Sequence, residues 1–142
     1  MTGTRRFALI YGILFLVIGI AGFIPGLVAP HTHPAVAVQS WMGLLLGLFA
    51  VNILHNLAHV LFGVWGLAAS GSEGAARGYA KATAIIYAVL MVLGLIAAFN
   101  LNTLFGLVPL YGNDIWLHAL LAAVAAYFGW RRPHEYTTRS AA

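Results

Sequence analysis

The sequence contains no cysteine, and only 7% of its 142 residues carry a charge. The absence of thiols excludes disulfide bonds, thiol catalysis and cysteine-bound iron–sulfur clusters. The scarcity of charge excludes a water-facing surface, because soluble domains average about 25% charged residues. With a hydrophobic content of 62%, the composition fits neither a soluble globular protein nor a disordered one. We therefore predict an integral membrane protein, with a single membrane domain over residues 1–142.

Acidic residues are especially few, with three Asp and Glu against seven Lys and Arg, for a net charge of +4. This charge does not indicate a nucleic-acid partner, because such a partner requires basic residues clustered on a water-exposed element. We expect no nucleic acid to bind. The expected partner is the lipid bilayer, and the sequence leaves open a homo-oligomer or a larger membrane complex.

Four long apolar runs are present, at about residues 7–24, 41–69, 82–99 and 115–130. At 1.5 Å per residue, a helix of about 16 to 20 residues is roughly 24–30 Å long, close to the thickness of the hydrocarbon core. The second run is longer, so it should tilt or extend beyond the bilayer. Membrane strands are shorter and alternate in polarity. The runs therefore predict an all-α fold, a bundle of four transmembrane helices.

The basic residues predict the orientation of this bundle. All seven flank the chain ends or the central loop: Arg5, Arg6, Arg77, Lys81, Arg131, Arg132 and Arg139. The two other loops, at about residues 25–40 and 100–113, contain none. Because cytoplasmic loops carry the excess of Lys and Arg, both termini are predicted to lie in the cytoplasm.

The second apolar run carries two consecutive Asn-x-x-His units, Asn52-x-x-His55 and Asn56-x-x-His59. At 100° per residue, these four side chains occupy one helical stripe about 100° wide. The two histidines are four residues apart, so their rings lie one turn apart on the same face. The run therefore predicts a polar stripe on an apolar helix.

The fourth run carries Asp114 and His118, which are also four residues apart. Predicted helices 2 and 4 run in the same direction, and the helical rise places His118 between His55 and His59 in depth. Imidazoles and a carboxylate are ligands of zinc-like divalent ions. The sequence thus predicts an intramembrane metal site of His55, His59, Asp114 and His118 between helices 2 and 4.

Three further side chains are candidates for supporting these ligands. Asn52 and Asn56 share the stripe of the helix 2 histidines, and we expect their amides to orient the metal-binding rings. Tyr87, on helix 3, is a candidate for approaching the site, with simple packing as its alternative.

Two other interpretations of the polar cluster remain open. Polar side chains between membrane helices also form structural hydrogen bonds worth roughly 0.6–2 kcal/mol each, as expected of a non-catalytic accessory subunit of a larger complex. Two histidines on facing helices can instead bind haem, or the cluster can serve a quinone in electron transfer. Haem leaves a third histidine and Asp114 without a role, so a small metal ion explains the cluster more economically.

Enzymatic activity is not indicated by the sequence. A zinc hydrolase needs a general base beside the metal-bound water, such as the Glu of His-Glu-x-x-His. Here Asn56 follows the first histidine, and Asp114 is needed as a ligand. We therefore do not expect a protease, and the sequence leaves open whether the ion is catalytic, structural or transported.

Two motifs carry a resemblance to a known family. They are Asn52-x-x-His55-Asn56-x-x-His59, followed by Leu61-Phe62-Gly63, and Asn113-Asp114-x-x-x-His118. Over about residues 5–130, the chain resembles a family of short four-helix bacterial membrane proteins that is classed as a domain of unknown function. The resemblance implies a four-span protein of the bacterial inner membrane, and it implies no activity.

Overall fold

The computed structural model describes residues 1–131, which form four α-helices and one small sheet. Arg132 and Arg139, used above to predict the orientation, lie outside the described residues. The helices are α1 (Gly3–Ala21), α2 (Ile53–Ala69), α3 (Glu73–Gly94) and α4 (Asn113–Trp130). The strands are β1 (Val28–Pro30), β2 (Gly43–Leu45) and β3 (Phe49–Val51), and short 3-10 helices cover Pro25–Leu27 and Ala98–Thr103.

The apolar run at 41–69 is not a single helix, which corrects the prediction. Its first part forms the antiparallel hairpin β2–β3, and α2 begins only at Ile53. Residues 46–48 form the hairpin turn, in which Leu46 and Gly47 adopt the left-handed conformation, with φ values of 53° and 71°. A continuous apolar run does not by itself distinguish a buried strand from a buried helix. The prediction of a purely helical fold was therefore wrong for this segment.

Helix α3 begins at Glu73 instead of about residue 82, and it ends at Gly94 instead of about residue 99. The Ser72 side chain accepts a hydrogen bond from the backbone N–H of Ala75, and Glu73 in the first turn interacts favourably with the helix dipole. The first turns of α3 are polar, so a search for apolar runs overlooks them. The observed limits of α1 and α4 lie within a few residues of the predicted ones.

The α1–α2 and α3–α4 loops lie at one end of the bundle and hydrogen-bond to each other. The backbone N–H of Ala37 donates to the Gly106 carbonyl (2.8 Å), and the Thr103 hydroxyl donates to the Ala35 carbonyl (3.3 Å). The first loop also contains the sheet, in which β2 pairs with both β1 and β3. The two loops therefore form one layer over the N-terminal ends of α2 and α4.

The opposite end of the bundle gathers basic side chains. Arg5 donates from Nε to the Ser70 carbonyl (2.7 Å), which joins the start of α1 to the end of α2. Arg77 donates to the Arg131 carbonyl (3.1 Å), which joins the start of α3 to the end of α4. These bonds bring the N-terminus, the α2–α3 turn and the end of α4 together.

The helices pack in two close pairs, α1 with α2 and α3 with α4. Gly12 of α1 lies against α2, where a Cβ on Gly12 would be 2.7 Å from the backbone nitrogen of Leu67. The small residues Ala8 and Gly19, on the same side of α1, are also buried. A seam of small residues thus allows two helix backbones to approach closely.

Large apolar side chains cover the outer surface of all four helices. More than half of the surface of each of these examples is exposed: Ile10, Val17, Leu61, Ile85 and Leu120. Two helices, α1 and α3, are long and apolar enough to cross a membrane, and α2 is a shorter apolar helix of 17 residues. The polar residues in the first turns of α4 lower its mean hydropathy.

Replacing Gly12 with Ala should destabilise the protein, because the new methyl group meets backbone that cannot move independently of α2. Overpacking of this kind costs about 1–3 kcal/mol. The measurement is thermal unfolding of the purified variant. Gly78→Ala on α3 is the matched control, since its Cβ meets nothing within 4 Å, and it should leave the stability unchanged or raise it by up to about 1 kcal/mol. Equal melting temperatures for the two variants would contradict this packing argument.

Candidate metal centre

The first turn of α2 and strand β3 together hold the ring of His55. The side-chain oxygen of Asn52 caps α2 by accepting a hydrogen bond from the His55 backbone N–H (3.0 Å). The His55 Nδ1 lies 3.1 Å from the carbonyl oxygen of Ala50. A carbonyl only accepts hydrogen bonds, so Nδ1 carries the proton and donates. In the neutral ring this leaves Nε2 with a free lone pair, the arrangement typical of a metal-binding histidine.

Helix α4 supplies Asp114 and His118 from its first two turns, and both side chains are about 2% exposed. The N-terminal end of a helix carries a partial positive charge, which stabilises a carboxylate in the first turn. Because the two residues are four apart, their side chains lie on the same face of α4. That face points toward His55, whose ring centroid is 6.2 Å from that of His118.

Three of the four predicted metal ligands converge on one point. His55, Asp114 and His118 each offer one ligand atom, and these atoms all lie within 4.8 Å of one another. The three residues come from two helices and are far apart in sequence, so the tertiary structure alone brings them together. All three are buried.

Several polar atoms of this cluster have no hydrogen-bond partner among the described residues. They are Oδ2 of Asp114, Nδ1 of His118 and Nδ1 of the neighbouring His59. Leaving a buried polar atom unsatisfied costs about 1–3 kcal/mol, and more for a charged group. The cluster is therefore not a hydrogen-bond network that satisfies itself.

His59 lies beside this group of three, not within it. Its ring centroid is 4.6 Å from that of His55, and the ring stacks on Phe15 of α1 at 5.7 Å. The structure thus places His59 one turn further along α2 than the point where the other three predicted ligands meet.

The three predicted supporting residues have different surroundings. Asn52 caps α2, and its amide also donates to the carbonyls of Val38 (3.0 Å) and Leu107 (2.7 Å). Asn56 donates to the Gly22 carbonyl at the end of α1 (2.9 Å), so its amide joins two helices. Tyr87 lies edge-on to His118, with ring centroids 5.0 Å apart, which brings α3 into the site.

A cavity of about 100 Å³ adjoins the cluster. Four polar side chains line it: His55, His59, Tyr87 and His118. The rest of its wall is apolar, and Leu104, Val108 and Leu110 of the α3–α4 loop close one side. These loop residues are not part of the predicted site, although the apolar character of their loop indicates that it packs against the bundle.

Tyr111 lies just before α4, next to the cluster along the chain. Its hydroxyl is 3.1 Å from Nε2 of His31, in the α1–α2 loop. Burial raises the pKa of Tyr111 to about 12, and the Asp114 carboxylate adds to this shift. Tyr111 is thus neutral at physiological pH and joins the two loops beside the first turn of α4.

A model of the family described as Domain of unknown function (DUF4383) matches residues 5–131. Because the match covers most of the chain, the protein belongs to this family, as the resemblance predicted. No curated protein and no solved structure matches the chain. The description of the family assigns no activity.

Replacing Asn52 with Ala should destabilise the protein more than the loss of an ordinary helix cap. The variant loses the cap, worth about 0.5–2 kcal/mol, and it also leaves two loop carbonyls without their donor, at about 1–3 kcal/mol each. Ser72→Ala is the control, because the Ser72 side chain caps α3 with a single hydrogen bond to Ala75. Chemical unfolding of both variants measures the difference in their free energies of unfolding. If Asn52→Ala loses no more stability than Ser72→Ala, the linking role of the Asn52 amide is disproved.

Proposed function

We propose that this member of the DUF4383 family is a small integral membrane protein that binds one divalent metal ion between α2 and α4. His55, Asp114 and His118 are the proposed ligands. The observation that carries the proposal is the convergence of three buried ligand atoms from two helices within 4.8 Å. On this proposal the ion stabilises the outer half of the bundle and joins α2 to α4.

The chemistry of the three donors supports a zinc-like ion. Two imidazoles and one carboxylate are a usual ligand set for zinc, with metal–ligand distances of about 2.0–2.2 Å. Donor atoms of a tetrahedral ion are then about 3.3–3.5 Å apart, so modest side-chain rotations from the observed spacing bring all three to bonding distance. The hydrogen bond from His55 to Ala50 orients one ring in advance.

The unsatisfied polar atoms favour a metal ion over a purely structural network. A structural network needs partners for its buried atoms, and Oδ2 of Asp114 and Nδ1 of His118 have none among the described residues. A bound cation compensates a buried carboxylate more strongly than a neutral hydrogen bond does. The small cavity also argues against haem, since cofactor-sized ligands occupy pockets of about 300–1,000 Å³ and this cavity is about 100 Å³.

Four membrane-spanning helices are the architecture that we propose for this site. The apolar outer surface of all four helices supports it, together with the two helices that are long and apolar enough to span. α4 has 18 residues, which correspond to a length of about 27 Å. The basic end, where Arg5 and Arg77 lie, is then cytoplasmic by the positive-inside rule, and the metal site faces the outer side of a bacterial inner membrane.

Elemental analysis of purified protein tests the metal site. We expect one divalent ion per chain in the wild type after excess metal is removed, and no stoichiometric ion in His118→Ala or Asp114→Asn. His31→Ala is the matched control, because this histidine lies in the α1–α2 loop and bonds to Tyr111, and it should retain the ion.

Thermal unfolding with and without a chelator distinguishes the metal ion from a hydrogen-bond network. A metal site predicts that the chelator lowers the melting temperature of the wild type and leaves His118→Ala unchanged, because only the folded wild type binds the ion. A network predicts a loss of about 0.6–2 kcal/mol per bond in His118→Ala, independent of chelator. The second pattern would contradict the proposal.

Reporter fusions test the orientation. A reporter inserted after Ser70, in the α2–α3 turn, and one fused to the C-terminus should both give cytoplasmic signals. A third insertion, after Pro34 in the α1–α2 loop, should give a periplasmic signal. A periplasmic signal from either of the first two positions would reverse the orientation, and with it the outward position of the site.

A further inference from the structure

We infer that the ion bound by His55, Asp114 and His118 keeps one coordination position open, and that this position takes a small exogenous ligand from the adjoining cavity. The ligand class is a neutral molecule or monoanion with one donor atom and few polar groups, such as hydroxide or azide. The inference rests on the proposed metal site and adds to it a binding site for a second component.

The number of protein ligands is the first argument. Zinc-like ions are almost always four-coordinate in structural sites, whereas sites that bind water or substrate have three protein ligands and an open fourth position. The described residues bring three donors to one point, and His59 lies outside that group. A three-ligand site is therefore incomplete without an exogenous donor.

The position of the cavity is the second argument. His55 and His118 belong to the ligand group and also line the cavity. An ion held between these two rings therefore lies at the cavity wall. Side chains of α2, α3, α4 and the α3–α4 loop line the cavity, so a ligand in it lies between these segments, next to the proposed ion.

The lining of the cavity defines the ligand. A volume of about 100 Å³ corresponds to about three water molecules at roughly 30 Å³ each. Apolar side chains such as Leu90, Leu104 and Val108 form most of the wall, and they offer no partner for a highly polar molecule. The ligand must therefore be compact, with its polar atom directed at the metal.

His59 has a specific part in this arrangement. It lines the cavity, it is 7% exposed, and its Nδ1 has no partner among the described residues. From one turn below His55, its ring is placed to hydrogen-bond to a ligand on the ion. This assigns His59 to positioning the exogenous ligand, instead of to the metal coordination that the sequence predicts.

Cobalt(II)-loaded protein provides the test, because its visible absorption responds to the number and type of ligands. Azide, which has three heavy atoms, should change the spectrum until one azide ion is bound per chain. Benzoate should leave the spectrum unchanged, because it is too large for the cavity. His59→Ala should retain the cobalt ion and bind azide about tenfold more weakly. Val108→Phe should retain cobalt and lose the azide response, because the larger side chain fills the cavity.

Val89→Phe is the matched control, since this valine is 51% exposed on the outer face of α3, and its azide affinity should equal that of the wild type. If the wild type binds cobalt but its spectrum does not respond to azide, the open coordination position is disproved while the metal site stands. In that case, an azide response gained in His59→Ala would identify His59 as a fourth ligand. An unchanged azide response in Val108→Phe would also overturn the inference. If cobalt does not bind at all, the proposed function fails as well.

Discussion

The side chain of Asn52 makes the connections on which the loop end of this helix bundle depends. Its oxygen caps α2 through the backbone N–H of His55, and its amide nitrogen donates to one carbonyl in each of the α1–α2 and α3–α4 loops. The same group thus starts the helix, positions the first metal-ligand candidate and fixes the loop layer above it. Asn supplies an acceptor and two donors at once, which neither Asp nor Ser can do.

The second constraint on this structure is that its buried polar groups need hydrogen-bond or other polar partners. The bundle is apolar, yet it buries three histidines and an aspartate near one end. Some of these groups have backbone partners, as His55 has in Ala50, while others have none among the described residues. Polar groups that fold into an apolar interior without mutual hydrogen bonds favour an external partner. A metal ion, with a small ligand beside it, is the partner that we propose for these donor atoms and this cavity.

The α3–α4 loop, held in place by the loop layer, supplies one wall of the cavity beside the site. Several non-glycine residues in the two loops, including Trp41, Leu104 and Phe105, adopt left-handed φ values. Such conformations cost of order 1 kcal/mol each and persist only where surrounding contacts hold them. Here the contacts are the bonds of Asn52 and of Thr103, which join the two loops. The α3–α4 loop, which forms a wall of the cavity, is thus bonded to the same residue that begins α2.

The sequence by itself determined the helical pairs His55–His59 and Asp114–His118, because a spacing of four residues places side chains on one face of any helix. It also determined the apolar character of the helices, and its two motifs predicted the family to which the chain belongs. Only the tertiary structure decided that residues 43–51 form a hairpin, since apolar runs do not specify strand or helix. The same holds for which three of the four predicted ligands converge, and for the hydrogen bond from Asn56 to Gly22. Helix rotation and loop packing decide which atoms converge, and these depend on contacts between segments that are distant along the chain.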